Sequence, residues 1–117
     1  MFTVPSVLPL STRVRAGVLA LDFVEPLWFV VVDEHRLDVS SDTRCPLGQL
    51  WGRFSRGIKA LGIPEDEAAL YGFDSPTALD ESAEWCEETI QGEYTTLSRY
   101  WRCVVRRRML ASIVIAT

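Results

Sequence analysis

A single helical pattern that contains three glycines, running from Cys45 to Ile63, most constrains how this chain can fold. Its apolar residues recur at helical spacing within one stripe about 100° wide, which is typical of a helix that packs on a core: Leu47, Leu50, Trp51, Phe54, Ile58 and Leu61. A glycine inside a helix costs roughly 0.5–1 kcal/mol relative to alanine. Gly48, Gly52 and Gly57 therefore need a compensating role, and we expect that role to be close packing.

The glycines lie beside the apolar stripe, where Gly48, Gly52 and Ser55 form a surface without bulk. Because another backbone can approach such a surface closely, we predict that it seats a neighbouring helix. Proline suits the first position of a helix, where an amide hydrogen would have no partner in the helix. Glycine suits the residue after the last turn. We therefore predict one helix that begins at Pro46 and ends before Gly62.

Earlier in the chain, the sequence predicts a helix from Arg13 to about Glu25, with Ser11 or Thr12 as its cap and Pro26 as its end. Residues 27–39 are ambiguous. Their valine run favours a strand, whereas a proline at a first-turn position favours a short helix. We expect a helical turn there, with a short strand near the N-terminus as the alternative.

Later in the chain, Pro64 and Gly72 mark the ends of another short helix. Ser75 is predicted to cap the next helix, and we expect Gly92 to interrupt it with a kink or a turn. The final helix is amphipathic. For the apolar tail 109–117 three alternatives stay open: the tail extends this helix, docks on the core or forms a short strand.

These patterns predict a mostly α fold, a single compact domain of four to five helices over residues 1–117. A chain of 117 residues that is 48% apolar can bury one modest core. We expect the Leu47–Leu61 face to pack against the Leu97, Trp101 and Val104 face of the final helix. Residues 1–10 and 109–117 are expected to be loosely packed tails.

The sequence also bears on location. No charged n-region precedes an apolar segment at the start, and no apolar run approaches the roughly 20 residues that span a bilayer. The three cysteines are odd in number and widely spaced, which fits buried free thiols in a reducing compartment. We therefore expect a cytoplasmic protein that is not inserted in a membrane.

Charge is distributed unevenly in the second half of the chain. Ten acidic residues and no basic residue lie between Glu65 and Glu93, and arginines dominate from Arg99 to Arg108. We predict that the acidic stripe pairs with the arginine stripe across the Gly92 turn; its members are Asp80, Glu84, Glu87 and Glu88. A net charge of −4 argues against broad binding to nucleic-acid phosphates.

The arginines of the final helix are the best candidates for ligand contact, because arginine beside an aromatic ring binds phosphates and acidic protein surfaces. The predicted binding residues are Arg99, Arg102, Arg106, Arg107 and, off the apolar stripe of its own helix, Trp85. We predict a protein-binding module. The alternative is nucleic-acid or nucleotide binding through the same arginines.

Catalytic and metal sites are not indicated by the sequence. Catalysis by imidazole would have to use His35, the only histidine, and a nucleophilic thiol at a helix start would be Cys45. An enzyme would need both residues and a carboxylate in one pocket. Zinc ligands normally come in short-spaced pairs, which the cysteines do not form. We therefore expect no enzymatic activity, no cofactor and no metal.

Several short motifs occur at characteristic positions of the chain. The most specific motif is CxLGQLxG at Cys45–Gly52; the others are Trp28–Asp33, Leu37–Val39, Gly57–Ile63, Tyr71–Phe73 and Leu97–Arg107. Together they resemble the motifs of small uncharacterised proteins from actinobacteriophages and actinobacterial prophages. This chain departs from the pattern at Pro46 and in the length of its acidic stretch. The resemblance implies a phage or prophage source, a compact helical protein and binding to a host protein, and it supplies no activity.

Overall fold

A computed structural model describes residues 8–79 and 86–116 of the chain. All of the regular structure in these two ranges is helical, which confirms the predicted mostly α class. In chain order the helices are α1 (Leu10–Val24), α2 (Trp28–Val31), α3 (Pro46–Trp51), α4 (Phe54–Leu61), a 3-10 helix (Glu65–Tyr71), α5 (Pro76–Leu79) and α6 (Glu87–Ala116). The expected helical turn is confirmed as α2, and these ranges contain no strand.

Helix α1 begins earlier than the sequence predicts. It starts at Leu10, directly after Pro9, and no side chain caps it. The predicted caps, Ser11 and Thr12, lie inside its first turn. The end of α1 agrees with the prediction, because Glu25 closes the helix just before Pro26. Pro9 has an extended backbone, and its carbonyl accepts from the amide of Arg13 at 3.1 Å, which is the first bond of the helix.

The predicted continuous helix over residues 46–61 is wrong, because two helices meet at Gly52. Its φ of +92° is a conformation that glycine adopts without strain, and it ends α3. The chain then leaves the helical path, and the amide of Phe54 donates to both the carbonyl and a carboxylate oxygen of Asp42, each at 3.0 Å. The break is therefore held by a residue ten positions earlier in the chain.

The glycines of this region do not form one flat stripe. A Cβ at Gly48 would collide with the backbone of Asp42 and Thr43, so this glycine seats a loop and not a helix. Gly52 is exposed at the break. A Cβ at Gly57 would meet the side chain of Leu47, so this third glycine lets α4 pack closely on α3.

The helix ends at Gly62 and Gly72 agree with the sequence prediction. Gly62 and Gly72 both have left-handed φ values, 71° and 72°, and end α4 and the 3-10 helix. The hydroxyl of Ser75 accepts from the amide of Ala78 at 3.1 Å, which is the predicted cap of α5. The same hydroxyl donates to Glu93 of α6 at 2.5 Å, so the cap also ties α5 to α6.

Helix α6 runs through Gly92 without interruption, which corrects the predicted kink or turn. A single glycine weakens a helix without ending it when nothing else in the sequence stops it. Glu87 and Glu88 therefore precede the arginines on one helix and cannot fold back onto them, while Asp80 and Glu84 lie outside the described residues. The helix continues to Ala116, which selects the helical alternative for residues 109–116.

The core forms around two fully buried tryptophans. Trp28 of α2 meets Trp101 of α6 edge to face, with ring centroids 5.7 Å apart, and Phe73 stacks on Trp101 at 5.2 Å. The Leu47–Leu61 face was expected to pack mainly on α6. The main packing partners of α3 and α4 are instead each other, and those of α6 are α1, α2 and α5.

Candidate functional site

Two of the four predicted arginines are held by the chain itself. Arg102 donates to the carbonyl of Leu37 at 3.0 Å and is partly buried. Arg106 donates to Oε1 of Glu34 through two nitrogens, at 2.8 and 3.1 Å. This bond holds the pKa of Glu34 below its ordinary value. Both arginines therefore fasten the segment that follows α2 to α6, and these bonds use part of the donor capacity of each guanidinium group.

A third arginine, Arg108, belongs to the arginines of the final helix that were candidates for ligand contact, although the narrower list of predicted binding residues omits it. Its guanidinium binds both carboxylate oxygens of Asp22 at 2.8 and 2.9 Å and lies 5.9 Å from the ring centre of Phe29. The other bond of Asp22 is to the buried Trp28, whose Nε1 donates at 3.0 Å. Arg108 thus joins α6 to α1 and α2.

The remaining predicted arginines are exposed. Within the described ranges, Arg99 and Arg107 have no hydrogen bond and no ion pair. Arg107 borders a groove between α1 and α6, while Arg102 and Arg106 face the 34–37 segment. The four arginines therefore do not act as one surface. Trp85, the fifth predicted binding residue, lies outside the described residues.

The groove that Arg107 borders has a volume of about 500 Å³. Helices α1 and α6 run in the same direction along it, since Gly17 lies against Trp101 and, further along both helices, Asp22 pairs with Arg108. Its lining consists of Ser11, Val14, Arg15, Val18, Tyr100, Cys103, Val104, Arg107 and Arg108. Grooves of this size with an apolar lining and a few charged groups are typical of binding sites.

A second surface was missed by the sequence analysis. Large apolar side chains are exposed at the end of α1 and along α2, and we call this surface the apolar corner: Leu19, Phe23, Val24, Leu27, Val30 and Val31. Phe23 is the most exposed, at 89%. The signal was present, because Leu19 and Phe23 are four residues apart and lie off the Val14, Val18 and Leu21 face that packs on the core.

The candidate nucleophile does not form a catalytic arrangement. Cys45 is buried, accepts a hydrogen bond from the amide of Gly48 and caps α3, and burial raises its pKa to about 11. A thiol with that pKa is almost entirely protonated at neutral pH. Cys86 and Cys103 are exposed, which corrects the expectation of buried thiols. His35 is exposed, and its backbone amide donates to Asp33.

A polar region lies on another side of α6. Two small pockets of about 210 and 240 Å³ meet at Ser40 and Tyr94. The hydroxyl of Tyr94 donates to Asp74 at 2.6 Å, and burial together with this carboxylate raises the pKa of the tyrosine. Tyr94 therefore stays protonated at neutral pH, as a structural bond requires. No cluster of three or more potential metal ligands lies within the described ranges.

Comparisons with protein-family models, with curated proteins and with solved structures find no match to this chain. The resemblance to small actinobacteriophage proteins therefore stays a prediction. Among the helices described, none is long and apolar enough to cross a membrane.

Proposed function

We propose that this chain is a protein-binding module whose main contact surface is the apolar corner. The observation that supports the proposal is the exposure of six large apolar side chains on one stretch of thirteen residues, with Phe23 at 89% and Leu27 at 64%. A clustered apolar surface costs solubility unless a partner covers it. Aromatic anchors that enter a partner's pocket commonly dominate binding free energy. Phe23 is the residue that suits this role.

This proposal keeps the protein-binding function that the sequence predicted. Its main contact surface is the apolar corner instead of the arginines of α6. Arg102 and Arg106 already donate to Leu37 and Glu34, so part of their bonding capacity serves the fold. Arg99 and Arg107 are exposed and suit the polar rim that surrounds the apolar centre of an interface. The partner class, a host protein, rests on the phage resemblance alone.

The test is affinity capture from an actinobacterial lysate by the tagged full chain, with and without nuclease. Wild type is compared with Phe23→Ser/Leu27→Ser and with a control, Arg56→Ser/Lys59→Ser, which changes two exposed residues of α4. We expect a nuclease-resistant partner whose affinity, measured afterwards with purified protein, falls at least about tenfold in the corner variant and is unchanged in the control.

Several results would contradict the proposal. One is full retention of the partner by the corner variant, and another is recovery of nuclease-sensitive material alone. In the second case the nucleic-acid alternative would be favoured, and log affinity should then fall linearly with log salt concentration. A mass that rises with concentration in light scattering, without a captured partner, would instead assign the corner to self-association.

A further inference from the structure

The groove between α1 and α6 combines an apolar floor with basic edges. Among its lining residues, Val14 and Val18 of α1 belong to the buried core, and the accessible apolar surface comes from Tyr100 and Val104 of α6. Arg15 and Arg107 stand on opposite helices. Both arginines are exposed, and within the described ranges neither has a hydrogen bond or an ion pair. Two guanidinium groups therefore face solvent across an apolar surface.

Arg108, the third arginine that lines the groove, is paired within the chain and contrasts with Arg15 and Arg107. Arg108 is neutralised by Asp22 through two hydrogen bonds. Among the described residues, Arg15 and Arg107 have no comparable acid, although the whole chain carries a net charge of −4. A basic pair on an otherwise acidic protein selects an acidic ligand, and carboxylates bind guanidinium groups in a bidentate geometry.

The shape of the groove favours a helical ligand. The floor lies between two helices that run side by side, and a third helix can place an apolar ridge between them, as in ordinary helix packing. Carboxylates on the two flanks of that ridge would then meet Arg15 on one side and Arg107 on the other. The groove is also continuous with the apolar corner, because Arg15 and Leu19 are one turn apart on α1.

We propose that the α1–α6 groove binds an acidic amphipathic helix of a partner protein. This inference rests on the proposed function and names the chemistry of the partner. The apolar ridge of that helix contacts Tyr100 and Val104, and its glutamates or aspartates pair with Arg15 and Arg107. The binding mode is that of a helix in a groove, in which apolar anchors give affinity and the flanking charges give orientation.

The test uses the full chain and a synthetic helical peptide of about 18 residues, long enough to form several turns. The peptide carries leucines on one face and glutamates on both flanks, and its counterpart has glutamine at every glutamate position. Titration is followed by the backbone amide signals in NMR spectra. We expect the glutamate peptide to shift Val18 and Val104 and to bind at least about fivefold more tightly than the glutamine peptide.

The matched variants are Arg15→Glu/Arg107→Glu and, as a control with the same change in net charge, Arg53→Glu/Arg56→Glu. All four positions are exposed, and thermal unfolding verifies that both variants fold. The groove variant should lose at least about tenfold in affinity for the glutamate peptide, and the control should lose much less.

Equal affinity for the two peptides, or an equal loss in both variants, would overturn the inference. So would amide shifts confined to the apolar corner. These results would leave the proposed function intact if Phe23→Ser/Leu27→Ser still released the captured partner. If the groove variant kept its affinity for the glutamate peptide and Phe23→Ser/Leu27→Ser also retained the captured partner, both proposals would be rejected together.

Discussion

Asp22 joins three helices through one carboxylate. Its oxygens accept from Trp28 at 3.0 Å and from Arg108 at 2.8 and 2.9 Å. Since Trp28 is fully buried, an alanine at position 22 leaves its indole N–H without an acceptor. We expect Asp22→Ala to lower the free energy of unfolding by about 1–3 kcal/mol. Asp22→Asn keeps an acceptor oxygen and should cost less; urea denaturation measures both.

The pH dependence of the same variants separates charge from hydrogen bonding. Arg108 holds the pKa of Asp22 below its ordinary value of 3.8. The carboxylate is therefore favoured in the folded state, and its contribution is present above about pH 4 and is lost as pH falls through the folded pKa. The stability difference between wild type and Asp22→Asn should be largest near pH 6 and shrink towards pH 2. A difference that does not change with pH would reject the ionic part of this account.

At the scale of the helices, alanine substitutions at two helical glycines are predicted to change stability in opposite directions. A Cβ at Gly17 of α1 would collide with the carbonyl of Tyr71 and lie 2.9 Å from the Trp101 ring, whereas nothing lies within 4 Å of one at Gly92 of α6. Gly92→Ala should stabilise the protein by about 0.5–1 kcal/mol. Gly17→Ala gains the same propensity but overpacks the core, and we expect a net loss of about 1–3 kcal/mol.

Thermal unfolding of the two alanine variants checks this pair directly. Each is the control for the other, because both replace a helical glycine by the same residue. Stabilisation by both variants would mean that α1 can shift away from Trp101. Destabilisation by both would mean that α6 is not a regular helix at Gly92.

The glycines also show which helix boundaries a sequence can predict. Gly62 lies two residues before Pro64 and Gly72 lies four residues before Pro76, so local chemistry alone predicted their left-handed caps. Gly52 lies inside an unbroken apolar period, and the break there depends on Asp42, whose bonds to Phe54 no local pattern contains. Gly92 gave the opposite error, since one glycine without a second stop signal does not end a helix.

For the whole molecule, the class of fold was predictable from helical periodicity and the packing partners were not. Bonds between residues far apart in sequence decide which surfaces remain free. Trp101 donates to the carbonyl of Gly72 at 2.8 Å, and Ser98 accepts from the amide of Val39 at 3.0 Å. The arginine pattern of α6 was visible in the sequence, but Glu34 and Leu37 were not identifiable as its partners. In the sequence, the only sign of the apolar corner was that some apolar residues of α1 lie off the face that packs on the core.

The five arginines of α6 therefore divide into three that bond to other parts of the chain, Arg102, Arg106 and Arg108, and an exposed pair, Arg99 and Arg107, without such bonds to the described residues. Their substitution should separate stability from binding. Arg102→Gln removes a charged donor from the carbonyl of Leu37, and we expect about 1 kcal/mol of lost stability. Arg99→Gln, on the same helix, should change stability by less than about 0.5 kcal/mol, because Arg99 is exposed. Denaturation curves measure both differences.

Hydrogen exchange then locates the effect of Arg102. Since this residue fastens the non-helical segment after α2 to α6, its loss should raise the exchange rates of residues 34–39 more than those of α1. Arg99→Gln should leave both unchanged. An equal rise throughout the molecule would mean that the segment opens only when the whole chain unfolds, and that Arg102 stabilises the entire core. If instead Arg99→Gln destabilised the chain as much as Arg102→Gln, the division of the arginines would be wrong, and the exposed pair could no longer be assigned to a partner.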